Sequence, residues 1–108
     1  MRALLALVTL IALASPARAD RELCVRGAVH RGPTLDLDVK GADLRDVFRL
    51  LSDVGRVNLV VPDGVAGAVT LRLRRVPWQQ IACTIAAIYK LTIRVNGNVL
   101  LVQRRGTG

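Results

Sequence analysis

Residues 34–61 read TLDLDVKGADLRDVFRLLSDVGRVNLVV, and this stretch decides the fold. Leu35, Leu37 and Val39 alternate with Asp36, Asp38 and Lys40. Strict alternation puts successive side chains on opposite faces of an extended chain, so Thr34 to Lys40 is expected to be a half-buried strand. Gly41 is expected to break it. Asp43 suits a helix N-cap, and Asp46 sets a carboxylate against the positive end of the helix dipole. Leu44, Val47, Phe48, Leu51 and Val54 then recur at helical spacing, with Arg45, Asp46, Arg49 and Asp53 on the far face. Gly55 is expected to end the helix. Val57 to Val61 reads as a short apolar strand, and Pro62-Asp63-Gly64 as a turn.

The pattern then starts again. Val69, Leu71 and Leu73 alternate with Thr70, Arg72 and Arg74. Pro77 suits the first turn of a helix, where a missing N–H is harmless. Trp78, Ile81, Ala82, Ile85, Ile88 and Tyr89 form a second helical stripe, and Leu91, Ile93 and Val95 another strand. Asn96-Gly97 signals a tight hairpin, from which Val99 to Val102 returns. An offset of 34 residues lays one half on the other: Leu35 on Val69, Leu44 on Trp78, Leu51 on Ile85, Val57 on Leu91 and Val61 on Val95. Matches through a strand, a helix and a strand in turn are those of a doubled β-α-β unit. A period of 34 also suits helical repeats, but the alternating segments exclude them. The expected fold is α+β, ordered β-α-β-β-α-β-β, with two helices packed between small sheets.

Two surfaces follow. The first strand points Asp36 and Asp38 outward, and its counterpart points Arg72 and Arg74. If the two strands pair, cross-strand ion pairs worth a few tenths of a kcal/mol each result. If they do not, Arg72, Arg74 and Arg75 form a basic stripe able to receive an acidic partner. The second surface is on the second helix. Cys83 lies beside Gln79, Ala87 and Lys90, away from the Trp78–Ile85 stripe, on a face far less charged than that of the first helix. The segment around Leu23-Cys24-Val25 is expected to lie over it.

The first residues set the compartment. Arg2 precedes an apolar run from Ala3 to Ala14, Ser15-Pro16 breaks it, and Ala17-Arg18-Ala19 supplies a small-x-small cleavage site. A run of about a dozen apolar residues is shorter than the roughly 20 that span a bilayer. Residues 1–19 therefore read as a signal peptide cleaved before Asp20. Arg21-Glu22-Leu23 is too charged and bulky to precede a lipidated Cys24, so export to a soluble compartment is expected. Removing the first 19 of 108 residues leaves 89, enough for one domain. The net charge of +8 drops to +6 as Arg2 and Arg18 leave. The remaining basic residues are interleaved with acids, as on a solvated surface.

Cys24 and Cys83 are the two cysteines, and an oxidising compartment favours a disulfide between them. It would close a loop of about 60 residues, worth roughly 4 kcal/mol by chain entropy. Two free thiols, or a metal site with His30, are the alternatives, the latter without any close-spaced ligand pair. No catalytic constellation is visible, and no cofactor or small-molecule substrate is expected. His30 is the only histidine, and Gly55, Gly64 and Gly67 match no phosphate-binding fingerprint. Phe48, Trp78 and Tyr89 all lie on apolar stripes, which argues against stacking on single-stranded nucleic acid.

Residues 35–51, Asn58-Leu59-Val60-Val61, Gly67 to Leu73, Val76-Pro77-Trp78 and Gly97-Asn98-Val99-Leu100 together resemble the secretin and TonB N-terminal short domain. The likeness is strongest to the copy in type IV pilus secretins and covers about residues 34–103. It implies a doubled β-α-β fold and a periplasmic protein–protein interaction module rather than an enzyme. In secretins such a domain forms the periplasmic mouth of an outer-membrane channel and meets inner-membrane machinery. In TonB-dependent transducers it signals to an anti-sigma regulator. With Gly108 just past the last expected strand, no barrel is expected to follow, and Cys83 stands where a polar or acidic residue is expected in the family. The expected organisation is a signal peptide (1–19), a disulfide-stapled segment (20–33), the short domain (34–103) and a tail (104–108). The expected role is a stand-alone module docking on a secretin, pilus or secretion assembly through a strand edge or through Arg72, Arg74 and Arg75. Binding a membrane anti-sigma regulator is the alternative. Binding of an anionic polymer by the basic surface is a third reading.

Overall fold

The computed structural model describes residues 21–106. The expected signal peptide (1–19) and the last two residues of the tail lie outside the described residues. The elements, in order, are β1 (Arg21–Glu22), β2 (Thr34–Asp43), α1 (Leu44–Gly55), β3 (Asn58–Val60), β4 (Ala68–Pro77), α2 (Trp78–Tyr89), β5 (Leu91–Asn96) and β6 (Val99–Arg104). Strands β2 and β4 pair antiparallel as a two-stranded ribbon, and the others form a sheet in the order β1-β5-β6-β3. Within that sheet β3 runs parallel to β6, and the other pairings are antiparallel. The helices pack on each other and on both sheets. This is the α+β order expected, with β1 added. Two residues as polar as Arg21 and Glu22 carry no alternating signal, so β1 was invisible in the sequence.

Asp43 caps α1 as expected, its Oδ1 accepting the Arg45 N–H at 2.8 Å. Leu44, Val47, Phe48, Leu51 and Ser52 form the buried face, and the Ser52 hydroxyl is satisfied by the Arg49 carbonyl at 2.8 Å. The helix ends at Gly55, as expected, but Arg56 rather than the glycine takes the left-handed cap at φ 56°. Gly55 serves packing instead, because a Cβ there would collide with the Trp78 indole. Pro77 sits one residue earlier than expected, as the N-cap of α2 and the last residue of β4. The inward stripe of α2 is Trp78, Ile81, Ala82, Ile85 and Ala86. Ile88, expected inside, is 58% exposed. It lies at the border of the buried arc in the last turn, and small Ala86 takes the inward place.

The doubling is exact in register. Thr34–Asp43 and Ala68–Pro77, and Leu44–Gly55 and Trp78–Tyr89, begin and end 34 residues apart. The left-handed helix caps, Arg56 and Lys90, have the same spacing. Each helix starts on a hydrogen bond to the other half: Leu44 N–H to the Gly67 carbonyl at 2.9 Å, and Trp78 N–H to that of Pro33 at 3.0 Å. Asp38 pairs with Arg72, its own counterpart, so a pseudo-two-fold axis passes through that pair.

The ribbon carries two bulges related by this axis, between Val39 and Ala42 on β2 and opposite Asp36 on β4. Gly41, expected to end the strand, bulges it at φ 61°, and its N–H donates to Thr70 Oγ1 at 2.9 Å. Arg75 does the same at φ 55°, donating to Asp36 Oδ1 at 2.8 Å. A bulge admits one extra residue and bends the strand without ending it, which is why β2 runs on to Asp43. The hairpin before β6 also shifts by one. Asn96 pairs with Val99, so Gly97 and Asn98 form the loop, with only Gly97 at positive φ (62°). That is the pattern of a turn needing Gly first. Strand β3 is shorter than the expected Val57 to Val61, and β6 runs to Arg104, into the expected tail.

Phe48, Leu44, Leu51, Ile81, Ile85, Ile93, Leu100 and Val102 are fully buried, joining both helices to β5 and β6 in one core. Cys24 and Cys83 form a disulfide with their Cα atoms 5.4 Å apart. It holds the N-terminal segment on α2, and the Leu23 N–H donates to the Ile93 carbonyl at 2.8 Å, extending the β1–β5 pairing.

Candidate interaction surface

The ribbon gathers the five charged residues singled out from the sequence. Strand alternation brings Asp36 and Asp38 from β2, and Arg72 and Arg74 from β4, to the outer face, where all four are exposed. The strands do pair, yet only one of the two expected ion pairs closes. Arg72 Nε stands 4.0 Å from Asp38 Oδ2, with side chains 81% and 78% exposed. At that distance and exposure the pair contributes at most a few tenths of a kcal/mol. Asp36 does not pair with Arg74. The bulge sets two residues, Arg74 and Arg75, against one, and the Asp36 carboxylate binds the Arg75 backbone N–H.

Local geometry thus turns the Asp36 carboxylate to the Arg75 backbone, so it closes no side-chain ion pair with either arginine, although its charge stays beside them. The Arg74 and Arg75 guanidinium groups are exposed and enter no ion pair with a described residue. Ion pairing elsewhere joins Arg45 to Asp63 at 3.7 Å, fastening the Pro62-Asp63-Gly64 turn to α1. A two-stranded ribbon also leaves each strand one side without a strand neighbour, and unpaired backbone groups there can add a further strand. Acidic β2 and basic β4 give those two sides opposite charge.

Sequence reasoning found the residues of this face and missed the bulges that decide their pairing. Gly41 was the available signal for one bulge. Arg75 carries none, since a left-handed arginine looks like any other. A second exposed region, around Val29 and Ile88, was also missed, because Ile88 falls on the helical stripe of its sequence.

No family model matches the chain. Over 73 residues, 68% of its length, it is 41% identical to the fimbrial assembly protein PilQ of Pseudomonas aeruginosa, of which it spans 10%. Among solved structures, the type IV competence pilus secretin PilQ of V. cholerae matches with a TM-score of 0.57 and 41% identity. That match covers 63% of this chain and 16% of the secretin chain. The N0 domain of the type II secretin from enterotoxigenic Escherichia coli matches with a TM-score of 0.58. It covers 65% of this chain and 93% of that domain, and at 17% identity shows the shared fold. The chain spans about a tenth of the curated PilQ proteins it matches.

Proposed function

We propose, from the premise that this chain carries a secretin N-terminal-like domain, that it is a non-enzymatic protein–protein interaction module of the periplasm. It works as an accessory of an outer-membrane secretin in a type IV pilus or secretion assembly. Residues 34–103 are the module, and residues 20–33 are a segment held to it by the disulfide. The module docks through the β2–β4 ribbon, where Arg74 and Arg75 receive carboxylates of the partner and Arg72 exchanges its loose pairing with Asp38 for a partner acid. The observation that carries this reading is the pair of exposed arginines, without a side-chain ion pair to a described residue, beside a strand edge. Charged groups of this kind set orientation and association rate more than raw affinity.

Crosslinking of the full chain in cells, beside a variant with Arg72→Glu, Arg74→Glu and Arg75→Glu, tests it. Recovery of a secretin or pilus-assembly component, lost in the variant, is expected. Undiminished recovery by the variant overturns the docking face. Recovery of a transmembrane regulator alone, or of polysaccharide or nucleic acid alone, overturns the function.

A further inference from the structure

The pseudo-two-fold axis supplies an internal control for the outer surface of the helices. On α1 that surface carries Arg45, Asp46, Arg49 and Asp53. The residues 34 positions later on α2 are Gln79, Gln80, Cys83 and Ala87, and no residue from Trp78 to Tyr89 bears a formal charge. Two helices of equal length and equal role in the core therefore differ sharply in what they show outside. The disulfide-held segment accounts for part of this, since Gln79 and Cys83 are half-buried beneath it. It does not account for Gln80, Thr84, Ala87 and Ile88, which remain exposed.

Beside them the segment turns its own apolar side chains outward. Val29 is 76% exposed, Val25 57% and Ile88 58%, three of the five large exposed hydrophobics among the described residues. Between segment and helix lies an open depression of about 710 Å³, walled by Val29, Cys83, Ala87 and Ile88 together with the polar His30, Gln80 and Thr84. Exposed apolar side chains gathered beside a depression on an otherwise charged small domain mark a contact site. The charges near it are mostly cationic: Arg26 and Arg31 lie in the segment and Lys90 follows α2, none in an ion pair with a described residue. Glu22, lining the adjoining depression with Val25, Val29 and Arg31, is the one acid among the described residues of the segment.

We infer that the outer face of α2, framed by the Cys24–Cys83 staple, is a second docking surface, for an apolar segment of a partner protein flanked by Asp or Glu. The cations select the flanks and the groove takes the apolar side chains. The same cations disfavour a second copy of this chain, which would set Arg26 and Arg31 against themselves. This surface is independent of the ribbon, so either can fail alone.

Nuclear magnetic resonance titration of the isotope-labelled mature chain tests the inference. The probes are two synthetic amphipathic helical peptides of about four turns, sharing one leucine stripe, with Glu flanks in one and Lys flanks in the other. The Glu peptide is expected to shift the amides of Val29, Thr84, Ala87 and Ile88 saturably and to bind about tenfold more tightly than the Lys peptide. Ile88→Glu, or Val29→Glu should the first fail to fold, is expected to weaken it about tenfold, a change of about 1.4 kcal/mol. Arg74→Glu is expected to leave it unchanged. Equal affinity for both peptides, shifts centred on β2 and β4, or no saturable binding would overturn the inference. So would concentration-dependent shifts at Ile88 without peptide, which would identify a second copy as the occupant.

Discussion

Among the described residues, three other than glycine, Arg56, Arg75 and Lys90, hold left-handed backbone, and Gly41, the counterpart of Arg75, holds it without strain. A Cβ in that conformation crowds the following carbonyl, at about 1 kcal/mol or somewhat more. Substitutions at the two bulges are therefore expected to act with opposite sign. Gly41→Ala, with open space around the new methyl, should destabilise by about 1 kcal/mol, and Arg75→Gly should stabilise by up to about that amount. Urea unfolding measures both, and equal signs would refute the account. Gly55→Ala should destabilise more, by about 1–3 kcal/mol, since the new methyl meets the buried Trp78 ring. A shift in Trp78 emission should accompany it. Asp43 was readable because a cap acts within its own turn. The need for Gly55 was not, because its cause lies 23 residues away across the helix contact.

At the scale of elements, β1 and the segment that follows it hold on by little. Two residues pair with β5, Leu23 adds one backbone bond, and the disulfide closes a separation of 59 residues. Loop closure of that size is worth about 4 kcal/mol in the chain-entropy model, more than the two-residue strand can supply. Replacing Cys24 and Cys83 by Ser together should lower stability by about 2–4 kcal/mol. It should also speed exchange of the Leu23 amide far more than that of Ile93 or Val102. Uniform acceleration across the sheet would show instead that the staple acts on the unfolded chain alone. The ribbon obeys a different logic, since its strands are long and paired along their length. Their alternation was legible from Thr34 and Val69 onward. Their exact pairing was not, since each bulge depends on a side chain of the opposite strand, Thr70 for Gly41 and Asp36 for Arg75.

Across the whole molecule, the two halves exchange rather than stack. Each helix begins on a carbonyl of the other half, each half gives one strand to the ribbon, and both helices share one core. Neither half has a core to itself, so the domain is expected to unfold in a single cooperative step. Trp78 fluorescence and far-ultraviolet circular dichroism should give coincident denaturation curves, and separated midpoints would disprove the interlocking. Phe48→Ala, at a fully buried position of the shared core, should lower stability by about 3–5 kcal/mol and shift both curves together. The sequence by itself determined the α+β class, the element order, the 34-residue doubling and most of the core, because periodicity and caps are local properties of the chain. Tertiary structure alone decided the short β1 strand, the bulges that leave Arg74 and Arg75 without a side-chain ion pair to a described residue, and the exposure of Ile88. Each of these depends on which distant segment arrives beside a residue, and spacing along one chain does not contain that information.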